Sequence, residues 1–245
     1  MTMIDKINGF FKKIRILSGA KLKLIAMISM LADHVNKSLI YPYLTSNRGF
    51  LAFVSNLFDI IGRIAFPLFC FFVVEGYFKS RNRRKYLLYL LLFGVISEVP
   101  FDMFTTASFF NMNWNNVMFT LALVLVTVWI IDILKGKMQD RAKVLWYIVS
   151  LLIVALMCIV SVYLSLDYEH HAILIGYFFY LFHDVRALAV PFGYASMYTE
   201  PWSLLGFGLT LIYNDERGKQ NKLLNYCFYP AHMLILGILR LCLGI

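Results

Sequence analysis

The chain has 245 residues, 60% hydrophobic and only 15% charged, with a mean hydropathy of +0.71. That balance excludes an ordinary soluble domain and points to a polytopic membrane protein. The net charge of +9 is no argument for nucleic acid, because the basic residues sit in short stretches between apolar runs, where they act as topology signals.

Residues 1–21 are basic and carry Ile4, Ile7, Phe10, Phe11 and Ile14 at amphipathic spacing, which predicts a cytoplasmic N-terminal segment. The apolar run behind it has no small-residue cleavage site, so the first helix is expected to be retained. A spanning helix needs about 20 mainly apolar residues. Segments are therefore placed near 22–43, 57–78, 86–104, 117–134, 144–166 and 171–183, with a last one at 223–244. Lys12, Lys13, Arg15, Lys21 and Lys23 precede the first segment, and Lys79, Arg81, Arg83, Arg84 and Lys85 follow the second. Lys135, Lys137, Arg141 and Lys143 follow the fourth, whereas the intervening loops hold only Arg48. By the positive-inside rule the basic loops and the N-terminus are cytoplasmic and the C-terminus is outside.

Between 186 and 213 the apolar stretch is interrupted by Pro191, Gly193, Pro201, Gly206 and Gly208, around the polar Thr199 and Glu200. Two short segments fit better than one straight helix. They also keep Arg217, Lys219 and Lys222 cytoplasmic. Each half spans about 18 to 20 Å, so a re-entrant hairpin is the other reading. The expected fold is all-α: a polytopic transmembrane helical bundle of about nine membrane segments. Residues 22–245 form its single transmembrane domain.

Asp33 and His34 lie inside the apolar run from Leu22 to Leu44. Ionisable groups at hydrocarbon depth are costly and mark functional positions. Counting from the cytoplasmic ends, His34, Glu98 and His232 fall about 15 to 18 Å deep. Arg63 and Asp102 lie further out, and Glu75 lies near the cytoplasmic edge. Glu98 and Asp102, four apart, share a helix face. A histidine titrating near neutrality beside a carboxylate permits proton transfer. Asp33 is about 100° around an ideal helix from His34, which makes it available to Arg63 or to a ligand. Arg63 needs an acidic partner or an anionic ligand. The same residues also admit a structural reading, as interhelical hydrogen bonds and an ion pair. Asp167, Glu169, His170 and His171 lack metal-ligand helical spacing, and Cys70, Cys158, Cys227 and Cys242 have no paired spacing, so no metal is expected.

Five stretches carry a resemblance: LKLIAMISMLADHV (22–35), IGRIAFPLFCFFVVEGY (61–77), YLLYLLLFGVISEVPFD (86–102), NVMFTLAL (116–123) and YPAHMLILGILR (229–240). In combination they resemble the TraX family, known for N-terminal acetylation of conjugative pilin, and more distantly the wider membrane acyltransferase superfamily. The resemblance implies a transferase of the bacterial cytoplasmic membrane that moves an acetyl group from acetyl-CoA to an amine. The N-terminus of a pilin-like or other membrane-associated peptide is the expected acceptor. Carried over by position, it implies His34 as catalytic base with Asp33, His232 and Glu98 in the catalytic group. Arg63 is implied on the cofactor side, and Arg81, Arg83, Arg84 and Lys85 suit the CoA phosphates. The alternatives are an O-acetyltransferase of a cell-surface glycan, or a proton-coupled transporter whose broken 186–213 segment holds the substrate.

Overall fold

The computed structural model describes residues 9, 11, 13–44, 49–111, 113–138 and 142–244. The amphipathic expectation for Ile4, Ile7 and Phe10, and the charges of Lys12, Arg48 and Arg141, lie outside the described residues. Among the described residues there is no β-strand beyond two isolated bridges, Leu17 with Tyr213 and Asn115 with Leu166. The long helices are α1 (Gly19–Val35), α2 (Phe50–Gly62), α3 (Ala65–Lys79), α4 (Arg83–Thr106), α5 (Val117–Met138), α6 (Lys143–Tyr163), α7 (Glu169–Leu181) and α10 (Lys222–Leu243). Two short ones, α8 (Arg186–Ala195) and α9 (Ser203–Leu211), occupy the stretch whose prolines and glycines predicted a break. A membrane permits this design because each helix satisfies its own backbone hydrogen bonds.

Among the described residues, five helical stretches are long and apolar enough to cross a bilayer: Phe50–Lys79, Arg83–Thr106, Val117–Met138, Lys143–Tyr163 and Leu223–Leu243. The pair α7 and α8, bent by 82° at the break after Leu181, passes the same test together, as a broken span or a re-entrant loop. The outer face of α6 explains itself in these terms. Val144, Ile148, Leu152, Leu156 and Ile159 are exposed at helical spacing, while Trp146, Ser150, Val154 and Ser161 are buried on the other side. So long an exposed apolar stripe belongs against lipid.

The elements depart from the expected segments at two places. The first segment does not run as one α-helix to 43: it ends at Val35, passes through a π turn at Asn36–Ile40 and closes with a 3₁₀ turn at Tyr41–Tyr43. Ser38 Oγ donates to the carbonyl of His34 at 2.7 Å, competing with the backbone ladder. Pro42 has no N–H to offer the preceding turn. The second segment starts earlier, at Phe50, and is interrupted between Gly62 and Ala65. At the end of α2 the carbonyls of Ile61 and Gly62 accept from Ser29, whose Oγ lies 2.6 Å from the Ile61 oxygen and 3.3 Å from that of Gly62.

The fold divides into two compact units. The first takes in Met1–Phe69, Val95–Met112 and Tyr198–Ile245, the second Cys70–Gly94 and Asn113–Met197. In the first, Leu22, Ala26, Phe66, Phe101, Phe207 and Met233 are buried core residues. Here α9 approaches the break after α2 so closely that a Cβ on Gly206 would stand 2.5 Å from the Ile64 carbonyl oxygen. In the second, Val124 of α5 occupies the space a side chain at Gly176 of α7 would need.

Candidate active site

In the first unit, α1 and α10 bring two sequence-distant histidines together. Nδ1 of His34 lies 2.8 Å from Nε2 of His232. The rings are parallel to within 4°, the orientation in which a ring N–H meets a ring lone pair end-on. His232 is anchored in turn, with its Nδ1 2.6 Å from the carbonyl oxygen of Phe228. That chain of contacts fixes the protons. A carbonyl only accepts, so Nδ1 of His232 carries a hydrogen, and in the neutral ring Nε2 must then accept. The proton between the rings therefore belongs to Nδ1 of His34. Nε2 of His34 is left with a bare lone pair, the form a general base requires. Phe104 packs on this imidazole at a ring separation of 5.0 Å. The side chain of His34 keeps 14% of its surface open, enough for a substrate atom to reach it.

Asp33 leaves the helix in a different direction, as the 100° step predicts, yet its Oδ2 remains 3.9 Å from Nε2 of His34. The same oxygen meets Lys37 Nζ at 2.7 Å. Oδ1 is buried without a hydrogen-bond partner among the described residues, and so is Oδ1 of Asn36 one turn further on. Asp33 is seated by Gly62, where any Cβ would collide with its side chain. Arg63, the next residue, pairs with Asp59 at 2.5 Å and with Glu200 at 3.1 Å. Two carboxylates thus already balance its charge, and the cluster ties the break after α2 to the segment leading into α9.

Glu98 is half-buried on α4 in the same unit. Asp102, one turn on, is buried and accepts a hydrogen bond from the Asn111 amide at 2.8 Å, which fastens the following loop. Arg240 of α10 donates to the carbonyls of Phe104 and Thr105, at 2.5 and 2.8 Å, serving the end of α4.

The second unit holds the basic loop. Ser80, Arg81, Asn82, Arg83, Arg84 and Trp129 line a depression of about 390 Å³. Arg83 is partly committed, with its guanidinium 4.0 Å over the Tyr77 ring and 4.0 Å from Asp132. Arg81, Arg84 and Lys85 are exposed. Asp132 accepts from Tyr77 at 2.5 Å and Tyr180 at 2.9 Å. Glu75 accepts from Lys79 and His183, both at 2.9 Å, which pins the bend between α7 and α8. Among the described residues no group of three or more His, Cys, Asp or Glu gathers as a metal site.

Sequence reasoning did not single out Asn36, Ser29, Gly62, Trp129 or Asp132. Asn36 carried a usable signal, a second polar residue three positions after Asp33 in an apolar run. Gly62 and Ser29 matter only through the approach of another helix, which no local pattern reveals.

Apolar helices at spanning length, with a hydrogen-bonded histidine pair and a buried aspartate in the first unit, define a multi-pass membrane protein. Over residues 18–240 the sequence matches the family described as TraX protein. The chain belongs to the TraX family. It is 40% identical over 120 residues to the probable fimbrial assembly protein FimC, serogroup H1, of Dichelobacter nodosus, covering 46% of each chain. It is 35% identical over 88 residues to the uncharacterized protein RP591 of Rickettsia prowazekii (strain Madrid E), covering 36% of this chain and 30% of that one. The chain thus spans less than half the length of either of these curated relatives. No solved structure matches it.

Proposed function

We propose that this protein is a membrane acetyltransferase that moves an acetyl group from acetyl-CoA to an amine, the N-terminus of a pilin-like or other membrane-associated peptide. The observation that carries the reading is the His34 to His232 hydrogen bond, which leaves Nε2 of His34 bare beside Asp33. Membership of the TraX family supports the reaction class, and the fimbrial relative supports a surface-filament peptide as acceptor. The neutral amine attacks the thioester carbonyl, a C–N bond forms and the C–S bond breaks. The proton shed by the amine passes to Nε2 of His34, and from there to the CoA thiolate. His232 shares the charge that His34 gains. Arg81 and Arg84, exposed at the rim of the depression, offer the CoA phosphates their charges. The setting is the bacterial cytoplasmic membrane, with the basic loops on the side where CoA is made.

The test is acetyl-CoA titration of the detergent-purified protein by calorimetry, followed by transfer to synthetic peptides read by mass spectrometry. His34→Ala should retain acetyl-CoA binding and lose transfer by about 100- to 10,000-fold, the usual worth of a general base. A folded wild-type protein that neither binds acetyl-CoA nor acetylates any peptide would overturn the proposal.

A further inference from the structure

The turn from Asp33 to Asn36 holds an unusual set of atoms. Asp33 and Asn36 are 5% and 4% exposed, and each buries an Oδ1 with no hydrogen-bond partner among the described residues. A buried acceptor left unmet is costly, and two on one turn ask for a donor from outside the chain. The residues are three apart on a helix and so share a face. The Asp33 carboxylate borders Nε2 of His34, which the hydrogen-bond chain through His232 leaves as an acceptor too. Lys37 saturates only Oδ2 of Asp33. The π turn beginning at Asn36 widens the backbone here, a distortion that recurs at functional sites.

We infer that Asp33 and Asn36 form the subsite that holds the N–H groups of the acceptor while Nε2 of His34 takes its proton, with Asn36 as a specificity-determining residue. The inference rests on the proposed acetyl transfer for its chemistry, and on the unmet acceptors for its placement. Two unmet acceptors suit a group rich in donors. A primary amine brings two N–H bonds, whereas a hydroxyl brings one and adds lone pairs that these atoms cannot satisfy. His232 acts as a positioning residue, because it fixes which nitrogen of His34 is bare.

The experiment uses the full chain in lipid nanodiscs and the variant Asn36→Leu. The probes are a short apolar peptide amide with a free α-amine and the same peptide with a hydroxyl in place of that amine. In wild type the amine peptide should bind more tightly than the hydroxyl peptide. Asn36→Leu should weaken the amine peptide about tenfold, the worth of one hydrogen bond, and erase most of the preference. The unfolding midpoint should stay level or rise, since an unmet acceptor has been removed, and acetyl-CoA binding should not change. A fall in the midpoint with unchanged peptide preference would overturn the inference by making Asn36 structural. Because peptide binding is read without turnover, a selective amine site in a protein that transfers nothing would refute the acetyltransferase reading alone. Undiminished transfer and binding in Asn36→Leu would refute only the subsite.

Discussion

Gly62→Ala puts the packing of the site to a quantitative test. A Cβ at this position would stand 2.5 Å from Cβ of Asp33, 2.7 Å from Oδ1 and 2.9 Å from Cγ. The closest of these atoms is fixed to the α1 backbone, so Asp33 cannot escape by rotating its side chain. Either α1 or the end of α2 must move. Overpacking of this kind costs about 1–3 kcal/mol, and the rigid neighbour places the case in the upper half of that range. Alanine returns at most about 1 kcal/mol through its better helix preference. The net expectation is a loss of about 1–2 kcal/mol, together with a displaced Asp33 carboxylate and reduced transfer. Gly208 on α9 supplies the control. A Cβ there meets nothing within 4 Å, so Gly208→Ala should be neutral or stabilise by about 0.4–1 kcal/mol. Both variants are compared in one detergent by reversible unfolding, followed by near-ultraviolet circular dichroism. A Gly62→Ala protein as stable as Gly208→Ala, with transfer intact, would refute the claim that Gly62 seats Asp33.

Four further outcomes are expected. Ser29→Ala removes the donor to the carbonyl oxygens of Ile61 and Gly62 and should cost about 1 kcal/mol in the same unfolding assay. Tyr180→Phe deletes a hydrogen bond to the Asp132 carboxylate and should cost about 1.5–3 kcal/mol, the range for bonds to charged groups, with acetyl-CoA affinity measured alongside to show whether it holds. The pair Arg81→Gln and Arg84→Gln should weaken acetyl-CoA binding about tenfold or more and flatten its salt dependence, while stability stays within about 0.5 kcal/mol, because both side chains are exposed. Arg83→Gln should instead lower stability, since it takes away the guanidinium over Tyr77.

Much of the fold was legible because a bilayer imposes simple rules. Runs of apolar residues between basic loops located nearly every helix, and Pro191, Pro201 and the nearby glycines announced α8 and α9. The interruption after Gly62 was not legible, since residues 50–79 read as one strongly apolar stretch despite Asp59, Arg63 and Glu75. Its cause lies outside its own sequence, in Ser29 of α1 and the approach of Gly206. The loss of regular helix after Val35 was hidden for a similar reason: Asn36, Lys37 and Ser38 fall inside the segment expected over 22–43, and only the Ser38 bond to the His34 carbonyl shows the ladder loosening. At the candidate site, the adjacency of Asp33 and His34 marked the place but not the geometry. The partner of His34 proved to be His232, nearly two hundred positions away, and the nearest stabilising charge of Asp33 is Lys37.

Irregular backbone and buried polar groups are tolerated in a bilayer only where the protein itself meets their hydrogen bonds. In the first unit several such groups are met by the chain itself. Ser29 serves the end of α2, Arg240 the end of α4, Asn111 one oxygen of Asp102, and Asp59 with Glu200 the charge of Arg63. Oδ1 of Asp102 and the hydroxyls of Ser97 and Ser203 also lack a partner among the described residues, but the unmet oxygens of Asp33 and Asn36 flank His34, and the chain could have removed the cost at either position with an apolar residue. A leucine at 36 would extend the run and spare the desolvation. Retaining unmet acceptors on the turn that carries His34 makes sense if a donor-bearing substrate supplies the missing hydrogens. The cost in stability and the capacity for catalysis then have one source, the turn from Asp33 to Asn36.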